Sequence, residues 1–223
     1  MGFVGGFLLV LIVAVNADEV SSAQAPLETT VPTELAPAVV VTAGADSVDA
    51  NAIARVSATH RDRVEFGTGF QLDDGRIVTV AHALVDARSV RFGTDNASVE
   101  ISDPNRHTDV AISRLNDLVA ITGAPLSSGF PIASQPVQIG DSVALAGIPE
   151  DGRIHVRTGE VIARTDGTNY GLGRPDVFAI SAPVDEGYSG GPVVNASGEV
   201  VAVIVGTETR SGVTLAVPIE HLP

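Results

Sequence analysis

The chain has 223 residues, a formal net charge of −14 and no cysteine. That length allows one or two domains with a sizeable core. The acidity argues against nucleic-acid binding, which needs a basic stripe facing the phosphates, and this chain has no lysine at all. Without cysteine there are no disulfides, reactive thiols or thiolate metal sites. No H-x-x-x-H spacing occurs either, so no metal and no cofactor is expected.

The N-terminus opens with an apolar run at residues 3–15, FVGGFLLVLIVAV. This is the length of a signal-peptide core and short of the roughly 20 residues that span a bilayer. Val15-Asn16-Ala17 offers a small-residue cleavage site, but the run lacks a preceding Lys or Arg. Residues 1–17 are therefore read as a cleaved signal peptide or an uncleaved membrane anchor, with a buried N-terminal element as the third option. Either main reading sends the remainder to the cell envelope or outside. Residues 18–49 are rich in Ala, Thr, Ser and acidic residues, with Pro26, Pro32 and Pro37 along them. Too few large apolar side chains are present to offset ordering entropy, and a disordered linker is expected.

From about Ala50 the chain becomes a series of short β-branched runs separated by turn residues. Strands are expected at 53–58, 64–72 and 76–80, the last two joined by the turn Asp73-Asp74-Gly75. Further strands are expected at 89–92, 98–101, 109–114, 142–146, 155–163, 177–180, 192–194, 200–205 and 213–217. No long helical periodicity follows the leader, so the βαβ alternation of a parallel sheet is excluded. An all-β sandwich or barrels remain.

Three segments carry chemistry. Gly187-Tyr188-Ser189-Gly190-Gly191-Pro192 sets a serine among glycines. A serine hydroxyl needs a base to take its proton and nearby N–H groups to hold an oxyanion. Alone, this run also fits a plain turn or the G-x-S-x-G elbow of an α/β-hydrolase. That elbow leads into a helix and requires a later histidine, for which His221 is the one candidate. Here Pro192-Val193-Val194 reads as a strand instead. The second segment is 77–84, IVTVAHAL, which ends a strand at His82. Imidazole titrates near 6.5 and so can accept and return a proton near neutrality. The third is Thr108-Asp109-Val110-Ala111-Ile112, where a carboxylate leads into a strand and would need pairing if buried. His107 has polar neighbours and is read as exposed.

In the order His82, Asp109, Ser189, the segments TVAHAL, TDVAI and GYSGGP resemble the three catalytic blocks of trypsin-like serine peptidases of the chymotrypsin superfamily. Residues 65–70, EFGTGF, and 215–219, LAVPI, are similar to strands of bacterial members, including high-temperature-requirement proteases. The resemblance covers residues 50–223 and implies two six-stranded antiparallel β-barrels, about 50–120 and 135–223, with the site in the cleft between them. It implies a triad of Ser189, His82 and Asp109, an oxyanion hole from the N–H groups of Gly187 and Ser189, and a peptide or protein substrate. It also implies a substrate pocket along residues 183–186 and 203–207, with Pro183, Asp185, Val205 and Gly206 in it.

Two departures narrow the expectation. Digestive-type members place an Asp before the serine to hold a newly cut N-terminus; here Tyr188 stands there. Members that cut after Lys or Arg carry an Asp six residues before the serine, where this chain has Pro183. A small or apolar pocket is expected, with no activation by that ion pair. A non-catalytic binding module on the same fold and a serine esterase stand as alternatives. Oligomeric state is not readable.

Overall fold

The computed structural model describes residues 4–6, 44–94, 98–123, 125–170, 176–208 and 211–223. The expected leader and linker lie mostly outside them. Of the leader only Val4–Gly6 (β1) is described, a short strand parallel to Val64–Gln71 (β3). Among the described residues no helix is long and apolar enough to cross a membrane.

The chain is all-β in two halves, as expected. The first is built from Ile53–Thr59 (β2), β3, Arg76–Val80 (β4), Ser89–Gly93 (β5), Ser98–Ser102 (β6), Val110–Ser113 (β7) and Leu118–Thr122 (β8). Their order is β6-β5-β2-β3-β4-β8-β7. β6 and β7 are the ends of this path, so the N-terminal half is an open sheet rather than a hydrogen-bonded barrel. The second half comprises Ser142–Gly147 (β9), His155–Thr165 (β10), Val177–Ile180 (β11), Pro192–Val194 (β12), Val200–Glu208 (β13) and Val213–Pro218 (β14). These close into a six-stranded barrel, β10-β11-β14-β13-β12-β9.

Alternation of side chains along each strand divides the core in two. In β9, Val143 and Leu145 join one buried cluster while Ala144 and Ala146 join the other. In β11, Phe178 and Ile180 oppose Val177 and Ala179 in the same way. The larger cluster also takes in Phe70, Ile77, Leu84 and Phe92 of the N-terminal half, so one continuous apolar body joins the halves. Both chemistry-bearing loops emerge where these halves meet.

Candidate active site

His82 follows β4 by two residues and starts a short 3-10 turn, His82–Leu84. Ala83 and Leu84 are buried and pin that turn, leaving the imidazole one-quarter exposed. Its Nδ1 lies 2.5 Å from Oδ2 of Asp117, and its backbone N–H donates to Oδ1 of the same carboxylate at 2.6 Å. Asp117 is only 4% exposed and has φ of +57°. Aspartate is among the few residues that tolerate that region. The β4–β8 pairing brings it there: the strands are antiparallel, so the residue that enters β8 meets the end of β4. The Ala81 N–H donates to the Asp117 carbonyl and extends the ladder by one rung.

Asp109, expected against the imidazole, is not brought to it. β7 runs antiparallel to β8, with Val110 opposite Ile121, and the Thr122 N–H donates to the Asp109 carbonyl. Thr122 in turn pairs with Arg76, the far end of β4. At about 3.3 Å per residue, the run from Arg76 to His82 separates the two ends by about 20 Å. The Asp109 side chain is 56% exposed, and its neighbour is His107, at 3.6 Å. The signal for Asp117 was available. Asp117-Leu118-Val119-Ala120-Ile121 is a second aspartate leading a strand, eight positions after the first (117 − 109). Burial separates the two, since Leu118 to Ile121 are all buried and β7 is half-exposed.

Ser189 is buried to 8% exposure, in a loop between β11 and β12 that is fixed from several sides. Gly187 and Gly190 have φ of +93° and +86°, where a side chain would be strained. A Cβ on Gly190 would stand 2.1 Å from the Thr68 carbonyl oxygen and 2.4 Å from Thr79 Oγ1. Thr79 belongs to β4, the strand that carries His82, so the serine loop lies directly on it. A Cβ on Gly191 would stand 2.1 Å from the Ala146 carbonyl oxygen. Tyr188 is fully buried, packed on Gly147, where an added Cβ would fall 2.3 Å from its ring. Burial pushes the Tyr188 hydroxyl pKa up from its ordinary value. Among the described residues, neither the Gly187 N–H nor the Ser189 N–H has a backbone or side-chain acceptor.

Of the expected pocket residues, Val205 is buried and Gly206 is open, with nothing within 4 Å of an added Cβ. Pro183 and Asp185 are exposed. Residues 183–186 run beside the end of β13, where the Thr207 hydroxyl donates to the Val184 carbonyl at 3.4 Å. Asp185 pairs with Arg157 at 3.5 Å. Gly187 also lines a cavity of about 140 Å³, with Arg55, Phe66, Ile148, Pro149, Glu150 and Glu186. Arg55 stacks on Phe66 at 5.0 Å and donates to the Pro149 carbonyl at 2.9 Å.

The elbow alternative fails on local structure, because the chain after Gly191 enters strand β12 in an all-β protein. His221 is engaged elsewhere, with Nε2 at 2.9 Å from Asp176. Asp176, Glu220 and His221 could hold a cation by spacing. Arg164 already occupies their centre, bonded to Asp176 at 2.6 Å and to Glu220 at 2.6 Å.

A two-halved β-fold with a buried serine in a glycine-rich loop, set on the strand that presents a carboxylate-held histidine, is the framework of a trypsin-like peptidase. A trypsin-like peptidase domain is matched over residues 67–203, more than half of the chain; the chain belongs to this family. It is 32% identical over 161 residues, 68% of its length, to serine protease Rv3671c of Mycobacterium tuberculosis. It is 34% identical over 165 residues, 70% of its length, to the mitochondrial serine protease HTRA2 of Bos taurus. It spans 38% and 34% of the lengths of those two proteins. In fold it resembles the active form of the Rv3671c protease from M. tuberculosis, with a TM-score of 0.63 at 20% identity, covering 86% of this chain and 90% of that one.

Proposed function

We propose that this chain is an exported serine endopeptidase that cleaves peptide bonds through an acyl-enzyme on Ser189. The observation that carries the reading is the His82 imidazole held at Nδ1 by a buried carboxylate, beside a rigid Gly-x-Ser loop with two uncommitted N–H groups. A proton on Nδ1, donated to Asp117, leaves Nε2 as the base. Nε2 takes the Ser189 proton as Oγ attacks the scissile carbonyl. The N–H groups of Gly187 and Ser189 hold the oxyanion, His82 then protonates the leaving amine, and water releases the acyl group. Asp117 stabilises the imidazolium between those steps.

A second reading keeps Asp109 as the carboxylate, on the TDVAI resemblance. It requires β7 to lie beside β4 in place of β8. The first reading is favoured because both Asp117 oxygens are committed to His82.

The P1 side chain of the substrate is assigned to the slot between residues 183–186 and Val205–Gly206. With Asp185 directed to Arg157 and Pro183 lacking charge, a small or apolar residue suits it. The cavity beside Phe66 and Arg55 would take the residues after the scissile bond. Export rests on the apolar run at 3–15 and on similarity to a probable periplasmic DegP-like endoprotease of Bartonella henselae, 33% identical over 162 residues. A peptide-library cleavage profile with Ser189→Ala as control tests activity and pocket together. Cleavage after small or apolar residues, absent in the variant, is expected. Folded protein that cleaves nothing would favour a binding module on the same fold.

A further inference from the structure

Thr68 lies in β3, in the opposite half of the molecule from Ser189, and is fully buried. Every polar atom it owns is spent near the serine loop. Its N–H donates to the Ser189 carbonyl at 2.9 Å. Its hydroxyl donates to the Gly187 carbonyl at 2.6 Å and accepts the Ile148 N–H at 2.8 Å. Its own carbonyl accepts the Thr79 hydroxyl at 2.9 Å. The two residues whose carbonyls it holds are those whose N–H groups are assigned to the oxyanion.

We propose that Thr68 is a positioning residue for the oxyanion hole: from across the interface between the two halves its hydroxyl holds the Gly187–Tyr188 peptide, which lies between the two peptides that carry the Gly187 and Ser189 N–H donors. Gly187 is the weak point of the hole, because a glycine at positive φ has several orientations of nearly equal energy. A rotation of that peptide breaks a buried hydrogen bond to Thr68. The Ile148 N–H donates to one of the hydroxyl's two lone pairs and so favours the rotamer whose proton points at the Gly187 carbonyl. Tyr188, the next residue, is itself held by its buried ring packed on Gly147. The inference rests on the peptidase reading and deepens it.

The test compares Thr68→Val, which keeps the shape and loses the hydroxyl, with Thr68→Ser, which keeps the hydroxyl. The readouts are kcat per fluorophosphonate-titrated site, KM, and the inhibition constant of a peptide boronate whose adduct places an oxygen in the hole. Removing an oxyanion donor outright costs about 10²–10³ in kcat, and loosening one costs less. Thr68→Val is expected to lose about 10- to 100-fold in kcat and in boronate affinity, with KM within about threefold. Thr68→Ser is expected to recover most of that loss. A Thr68→Val protein with a lower melting temperature but full kcat per titrated site would overturn the proposal, leaving a structural role only. So would equal losses in both variants. If the unaltered protein cleaves no peptide, the peptidase reading fails on its own. Amide exchange at Gly187 and Tyr188 then decides the clamp: faster exchange in Thr68→Val than in Thr68→Ser supports it, and equal exchange refutes it.

Discussion

Replacing Asp117 by asparagine removes one charge and exchanges one acceptor oxygen for an NH2 group, with no change of shape. The carboxylate now serves the His82 N–H with Oδ1 and Nδ1 with Oδ2. Asparagine can serve only one of them. If its oxygen faces the backbone N–H, its NH2 faces Nδ1, which must then accept, and the ring proton moves to Nε2. In that tautomer His82 cannot take the Ser189 proton. The loss expected for this wrong-tautomer effect is about 10⁴ in kcat, or roughly 5.4 kcal/mol at 1.36 kcal/mol per decade. The variant should also lose a charge-assisted hydrogen bond worth about 1.5–3 kcal/mol of stability. Steady-state cleavage is therefore measured well below the melting transition, with circular dichroism on the same samples. Asparagine tolerates the positive φ at this position, so the fold should persist. Asp109→Asn, made in parallel, should stay within about threefold, because an exposed carboxylate far from the reacting atoms contributes little. A 10⁴ loss in Asp109→Asn with near-normal Asp117→Asn would refute the assignment and place β7 beside β4.

Gly190→Ala should abolish Ser189 labelling by a fluorophosphonate, since its Cβ would press on the Thr68 carbonyl and Thr79 hydroxyl; normal labelling would contradict the loop packing. Gly206→Val should leave the melting temperature within about 2 °C, because the Cβ meets open space. It should cut cleavage after large apolar residues at least about tenfold relative to cleavage after alanine; an unchanged profile would remove Gly206 from the P1 slot. The hydrogen bond from Arg164, then that from His221, holds the Asp176 carboxyl below its ordinary value. A depressed folded value contributes stability above the unfolded value of about 3.9 and loses it as pH falls below that. Asp176→Asn should therefore melt about 3 °C lower at pH 7, and the gap should close in strong acid, once the Asp176 carboxyl is protonated in both states. A gap that persists there would contradict the ion-pair account.

Most of the strand set was legible because β-branched runs between turn residues have few other uses, and the closed second barrel follows that reading strand by strand. The missing strand was β8. Its residues, LVAIT, follow closely on β7, past the end of the strand expected at 109–114. The Asp117–His82 contact was missed with it: the second Asp-led apolar run was in view, but the pairing of β8 with β4 that carries Asp117 to His82 was not. The segments around Ser189 and His82 stood out because glycines around a serine and a histidine ending a strand are local patterns. The role argued for Thr68 was not legible. It depends on contacts between residues 68, 148 and 187, far apart in the chain, and threonine in a strand is otherwise unremarked.

Activation of Ser189 as a nucleophile by His82 leaves a direct chemical signature. Incubation of the folded protein with a fluorophosphonate, followed by intact mass and peptide mapping, measures it directly. One adduct, on Ser189, is expected in the unaltered protein and should be lost in His82→Ala. An unlabelled Ser189 in folded protein, or labelling that persists at the same rate in His82→Ala, would contradict it.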